Sequence, residues 1–401
     1  MAITDKEQGV WELSQVYNKI KSGNIWNYTG ETATMTWGQN SYGYRGLNDL
    51  VVRSSPTQLS GTWTLGRGSF QPVTTLATNS DGELFVWGGN WYGSAGLNDT
   101  VHRSSPTQIG TDTTWGTEAT KMFSGGDQTF AIKTDGTMWS WGRNQYGALA
   151  QNVGTYLNDE CISSPTQVGT DTTWSEVGAG TADNFAAIKT DGTLWTWGNN
   201  GSGALGRSDF GPNPNNTSRS SPVQLPGTTW SKLANGQGFA GKTDGTLYVW
   251  GQNNDYTHGR LGLNDKANRS SPTQIPGTWT NFDTNSGVSA GIKGGELYTW
   301  GINTSGALGH NSQTSYSSPT QVGSESNWNE VVAGGYPATN VTTLATKTDG
   351  SLWIWGVNYM GMLGLNKTQS DLAALSSPTQ IPGTWSNPRD GMYGFYAQTV
   401  L

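Results

Sequence analysis

Cysteine is almost missing: Cys161 is the single thiol among 401 residues. An intrachain disulfide is therefore impossible, and a cysteine-built metal site is excluded. Charge is sparse, at 13% of residues against roughly 25% in an average soluble chain. The balance is acidic, with a formal net charge of -7, which argues against nucleic acid as a partner. No apolar run approaches the ~18 residues that span a bilayer, so membrane insertion is not expected. The opening, Met1-Ala2-Ile3-Thr4-Asp5-Lys6-Glu7, has no basic region followed by an apolar core and predicts no secretory leader. Histidine occurs only at His102, His258 and His310, in separate turn regions with no metal-ligand spacing. The many glycines recur with the repeat period, which explains them as turn and packing residues rather than as catalytic or phosphate-binding motifs. The expectation is a non-enzymatic chain without cofactor or metal.

What is abundant is glycine, with 57 residues, and aromatic rings, with 20 Trp and 15 Tyr. They recur with a period. Trp-Gly-x-Asn begins at Trp37, Trp87, Trp141, Trp197, Trp250, Trp300 and Trp355. Ser-Ser-Pro follows each copy, from Ser54-Ser55-Pro56 to Ser376-Ser377-Pro378. A lone Trp precedes each following unit, at Trp63, Trp115, Trp174, Trp230, Trp279, Trp328 and Trp385. Three markers give seven repeats, and a closed array of such units is one domain.

Within a repeat the pattern is β. Phe185-Ala186-Ala187-Ile188-Lys189 and Thr193-Leu194-Trp195-Thr196-Trp197 flank Thr190-Asp191-Gly192, a strong hairpin signal. Alternation puts Trp195 and Trp197 on one strand face, able to fill the wedge between neighbouring sheets. Proline confines the Ser-Ser-Pro segment to an edge strand or a strand start. Seven four-stranded units arranged radially make a β-propeller. Repeat one has Ala33-Thr34-Met35-Thr36-Trp37 but no hairpin partner upstream, whereas Gly391–Val400 supplies the missing strand. The termini are thus expected to close the ring in one blade, which removes exposed edges. The turns Asn48-Asp49, Asn98-Asp99, Asn158-Asp159 and Asn264-Asp265 carry one carboxylate each. That suits an Asx turn better than Ca²⁺.

Residues 1–27 stand outside the repeats. Thr4-Asp5-Lys6-Glu7 fits a capping box, and Val10, Leu13, Val16, Tyr17 and Ile20 follow at helical spacing. A short amphipathic helix over 4–22 is predicted, with Trp11 beside its apolar stripe. Two roles fit it: a helix lying against the main domain, 28–401, or an anchoring arm.

The Trp-Gly-x-Asn-x-x-Gly-x-Leu-Gly phrase, followed by Ser-Ser-Pro-x-x-Val, resembles the repeat of the regulator of chromosome condensation (RCC1-like) superfamily across residues 28–401. Tyr44-Arg45-Gly46, Ser94-Ala95-Gly96, Ala150 and an insertion before Gly259 depart from it locally. The resemblance implies an all-β, seven-bladed propeller serving as a rigid surface for protein partners. It does not fix one function: a chromatin nucleotide-exchange factor, a plant ultraviolet receptor and a secreted inhibitor of β-lactamases share the fold. The stretch Asp5–Ile20 resembles the opening of marine bacteriophage structural proteins. That implies a virion component assembled in the host cytoplasm, in a tail, fibre, baseplate or capsid-surface position. The arm would dock on the particle, where the protein could be a homo-oligomer, and the propeller would bind another virion protein or a host-surface protein. The alternative is a soluble inhibitor or adaptor; a nucleotide-exchange factor ranks lower.

Candidate contacts come from the variable pair inside the repeated phrase. Tyr42, Trp91, Tyr92, Tyr146 and Tyr359 occupy it in four repeats, and equivalent positions of a propeller fall on one face. Tyr and Trp are common interface anchors, although rings there could instead cover the ends of neighbouring blades. Tyr156 and Phe210 lie in polar insertions ahead of Ser-Ser-Pro, where recognition loops tend to grow.

Overall fold

In the computed structural model each repeat becomes one antiparallel sheet, and seven sheets form the ring. The residues described are 32–69, 74–153, 160–179, 183–209, 217–236, 238–254, 258–285, 287–335, 340–391 and 393–400. The predicted arm, with Val10, Trp11, Leu13, Val16, Tyr17 and Ile20, lies outside them, as do Tyr156 and Phe210. Blades are numbered here by the Trp-Gly-x-Asn copy that they contain.

Blade 4 shows the plan, with strands Trp174–Ala179, Asn184–Lys189, Leu194–Gly198 and Arg219–Leu225 ordered from the axis outwards. Its central hairpin pairs Ile188 with Leu194 and Ala187 with Trp195. The turn between them is held by Asp191, whose carboxylate accepts the Thr193 backbone N–H at 3.0 Å and its hydroxyl at 2.7 Å. Gly192 has a φ of 76°, and a Cβ there would stand 2.3 Å from the Thr228 carbonyl oxygen. Conformation and space both demand glycine. The Ser-Ser-Pro segment forms the outer edge strand, where proline's missing N–H costs no ladder bond.

The seven repeated Trp rings join the blades. All are at most 2% exposed. Six donate the indole N–H backwards to a loop carbonyl of the preceding blade: Trp37 to Met362, Trp141 to Ser94, Trp197 to Ala148, Trp250 to Ala204, Trp300 to Arg260 and Trp355 to Ala307, at 2.7–2.9 Å. A buried ring gains contact area and satisfies its one polar atom in the same place. The lone Trp has another task. In blades 3 to 7 it forms half of a cage around a lysine, as where Lys189 Nζ lies 4.7 Å from the Trp174 ring and 4.0 Å from Trp195. Lys133, Lys242, Lys293 and Lys347 repeat this arrangement.

Blade 1 closes the ring. Trp385–Gly391 and Gly394–Val400 from the C-terminus pair with Thr32–Gly38 and Arg53–Leu59 from the N-terminal side. The seam runs in continuous register from Thr32 opposite Val400 to Gly38 opposite Gly394. Tyr396 relays the seventh indole bond. Trp87 donates to its hydroxyl at 2.9 Å, and that hydroxyl donates to the Tyr44 carbonyl, the position filled by Ala148 or Ala204 elsewhere.

One sheet departs from the four-stranded expectation. The inner strand of blade 2 pairs at home only over Thr64–Leu65; Arg67–Ser69 then leaves and runs parallel to Met122–Gly125 of blade 3, making a five-stranded sheet. A Cβ on Gly66 would come 2.8 Å from the Met122 Cβ, so glycine permits the crossing. The sequence shows this only as Gly66 and Gly68, two glycines among many.

Candidate protein-docking face

The loop after each Trp-Gly is built by its Asn. In blade 2, Asn90 Oδ1 accepts the Ala95 N–H at 2.7 Å, while Nδ2 donates to the Asp99 carbonyl at 3.0 Å and to its carboxylate at 2.9 Å. Asp99 Oδ1 also takes the Val101 N–H at 2.9 Å, and its other oxygen takes Arg103 at 2.6 Å. Asp49 repeats the set with Asn40, Val51 and Arg53. These hydrogen bonds hold Asp49 and Asp99 below the usual carboxylate range, against a burial effect that works the other way. The turns at Asp49, Asp99 and Asp265 are thus committed to Asn, Arg and backbone, whereas Asn158-Asp159 lies outside the described residues. Among the described residues no three His, Cys, Asp or Glu gather as metal ligands.

On this rigid base the variable pair of blades 2, 3, 4 and 7 forms a tight turn whose second residue is left-handed. Tyr92 has φ 56°, Tyr146 58°, Ser202 55° and Met360 50°. Bulky side chains rarely adopt that conformation, and each costs on the order of 1 kcal/mol or more there.

The tips differ around the ring. Tyr42 is 41% exposed, Tyr92 40% and Met360 36%, and beside them Leu50, Val51, Val52, Val101 and Val153 are open to solvent. All eight sit in loops of blades 7, 1, 2 and 3, which are consecutive around the closed ring. Among the described residues only Val400 is a comparably exposed large apolar side chain elsewhere. Blade 4 offers Gly201-Ser202 and blade 6 Thr304-Ser305 at the same place.

The candidates meet each other in part. Tyr42 and Trp91 stack edge to face with ring centres 4.7 Å apart, and His102 lies 5.0 Å from Tyr42 and 4.7 Å from Trp91. The Arg143 guanidinium covers Tyr92 at 4.9 Å, and Tyr359 packs on Tyr393 at 5.0 Å. Trp91, Tyr146 and Tyr359 are half-buried, so both sequence readings describe part of the set. Sequence reasoning missed Met360, His102, Tyr393 and the valines, for valine in a loop carries no motif. Near the edge of this arc burial pushes the Asp127 carboxyl up to about 6, with Asp183 adding to the rise and Arg143 opposing it.

The regulator of chromosome condensation (RCC1) repeat profile matches residues 81–132, 135–186, 191–240, 244–291 and 294–337, and a second RCC1 profile matches 119–148. The chain belongs to the RCC1 repeat family. A comparison with curated protein sequences finds no match. Among solved structures, human WBSCR16 superposes with a TM-score of 0.75 at 17% identity, over 92% of this chain and 99% of that one. Prp20p from Saccharomyces cerevisiae gives 0.73 at 17% identity, over 92% and 91%. Yeast RCC1 (Prp20) bound to Kap60 gives 0.73 at 17%, over 93% and 89%. At such identity the likeness shows the fold.

This RCC1-repeat propeller has a polar axis that the motifs did not announce. Arg67, on the crossing segment, pairs with Glu176 of blade 4 at 2.8 Å and donates to the carbonyls of Val177 at 2.7 Å and Leu233 at 3.1 Å. Asp283 of blade 6 accepts the N–H groups of Asn235 at 3.0 Å and Ala333 at 2.9 Å, tying blades 5, 6 and 7. Burial pushes its carboxyl up to about 6. Asp390 of blade 1 accepts the Gly68 N–H, yet its Oδ1 has no partner. Burial, then repulsion from Asp283, holds it well above the carboxylate range. The inner strands are thereby cross-linked from side to side, and the candidate loops ride on a braced ring.

Proposed function

We propose that this chain is a non-enzymatic protein-binding propeller that docks a partner through the loops of blades 7, 1, 2 and 3. The observation that carries the reading is the one-sided arc of exposed apolar side chains, which the described residues of the equivalent loops of blades 4 and 6 do not continue. Contiguous exposed apolar surface of this kind marks interaction sites. Backbone strain supports it: Tyr92, Tyr146 and Met360 occupy left-handed positions where Asn or Gly would be cheaper. The rim acids Asp49 and Asp99 are neutralised by Arg53 and Arg103. The partner surface that fits is therefore an uncharged apolar segment of a protein, bound with little dependence on salt. Prp20p, whose structure was reported with its binding to Gsp1p and histones and also in complex with Kap60, supports the use of such a ring for protein partners. Replacing Tyr42, Tyr92 and Tyr146 together with Ala tests the reading. Partner binding should be lost with the fold intact, while Ser202→Ala with Thr304→Ala should bind normally; equal binding by both variants refutes it.

The setting is a separate proposal. The resemblance of Asp5–Ile20 to phage structural proteins supports a virion component anchored by residues 1–27, with a neighbouring subunit or host-surface protein as partner. A soluble adaptor is the alternative. Deleting 1–27 should abolish incorporation into particles and leave the propeller folded; incorporation of the deleted form rejects the anchor.

A further inference from the structure

In four blades the N–H of the loop-building Asn meets an acceptor that does not titrate. Asn253 donates to Asn268 Oδ1 at 2.7 Å and Asn303 to Ser315 Oγ at 3.0 Å. Asn144 and Asn358 use the carbonyls of Glu160 at 3.0 Å and Ala373 at 2.8 Å. Blade 2 is different: Asn90 donates to His102 Nδ1 at 2.9 Å. Only a neutral imidazole with its proton on Nε2 can accept there. Protonation would set N–H against N–H, and flipping the ring would present a C–H. Asn90 is fully buried and also fixes Ala95, Asp99 and Val101, so the imidazole's protonation state reaches the whole loop that carries Trp91 and Tyr92.

We propose that His102 is a pH-sensing positioning residue of the docking face, keeping the Trp91–Tyr92 loop in binding geometry only while its imidazole is neutral. The inference rests on the docking reading, but its first observable needs no partner. His102 is open to solvent, so a proton can reach it. Tyr42 faces it from blade 1, with Tyr44 behind that ring, and Trp91 and Asn90 face it from its own loop. The charges beside it along the chain, Asp99 and Arg103, are paired with each other. Partial burial holds its pKa below the usual histidine value, so the ring is neutral at pH 7.

The test is amide hydrogen exchange of the peptide spanning Gly88–Ala95 in the full chain, with intrinsic rates corrected, from pH 8 to pH 5. The three His signals are followed by NMR in parallel. The expected result is that His102 titrates below the ordinary value of about 6.5 and that protection falls by up to about tenfold per pH unit between that ordinary value and the observed His102 midpoint, levelling off below it. His102→Asn, which copies the Asn268 acceptor, should hold protection constant and remove the titrating signal. Equal pH profiles in wild type and His102→Asn, or titration above the ordinary value, overturn the switch. Loss of partner binding in the tyrosine variants is read independently, so the two claims fail separately.

Discussion

Tyr92→Asn separates a ring kept for stability from one kept for recognition. Tyr92 sits at φ 56°, and an asparagine, which tolerates the left-handed region, recovers about 1 kcal/mol of backbone strain. Against that stands the Arg143 guanidinium over its ring at 4.9 Å, worth about 0.5–1 kcal/mol at an exposed site. Tyr92 is 40% exposed, so little further burial is lost. The terms nearly cancel, and the net change should lie within about 1 kcal/mol of zero. At roughly 2 cal/mol/K per residue, a ring of this size shifts its midpoint by only about 1–2 °C per kcal/mol. Differential scanning calorimetry at pH 7 should therefore find Tyr92→Asn melting within about 2 °C of the parent, while partner binding weakens at least tenfold. A loss above about 2 kcal/mol, in the range of core substitutions, would show that the ring is packing and refute the inference from strain.

Other consequences follow from the interior. Tyr396→Phe strands the Trp87 indole N–H and the Tyr44 carbonyl inside the closing blade; at about 1–3 kcal/mol per buried unpaired group, thermal unfolding should start several degrees lower. Asp283 and Asp390 both bind protons more tightly folded than unfolded, so the stability they contribute is fully present below about pH 4 and is lost as pH rises, for Asp283 through about 6. Asp390→Asn should accordingly stabilise the ring at pH 7 in urea titrations, with the gain vanishing towards pH 4; a gain constant with pH contradicts the assignment. Lys189→Met empties a cage formed by Trp174 and Trp195 and breaks the ion pair with Asp171; the cost should be about 1–2 kcal/mol, measured by denaturant midpoint.

The scaffold was legible because its determinants are local and repeated. Asp191-Gly192, the Trp197 phrase and Pro222 each dictate one feature of a blade, and seven copies remove ambiguity. Closure was readable from the strand that repeat one lacks. What could not be read depends on contacts distant in the chain. Arg67 gives no sign that it will meet Glu176, and nothing near Asp390 announces Asp283. The docking candidates were half legible: the variable pair located Tyr42 and Tyr92, but the apolar arc emerges only when closure makes blade 7 the neighbour of blade 1. Met360 and Val101 acquire meaning from that adjacency. The Tyr396 relay likewise needs the folded seam, because its partners are Trp87 and Tyr44.

The central claim is that one half of one face takes a protein partner. Photo-crosslinking tests it most directly, with a reactive residue placed at Tyr92 in one variant and at Ser202, its equivalent in blade 4, in another. The account predicts a single, saturable protein adduct from position 92, competed by the unmodified chain, and none from position 202. The same adduct from both positions, or none from position 92 where the Ser202 variant reacts, would contradict it.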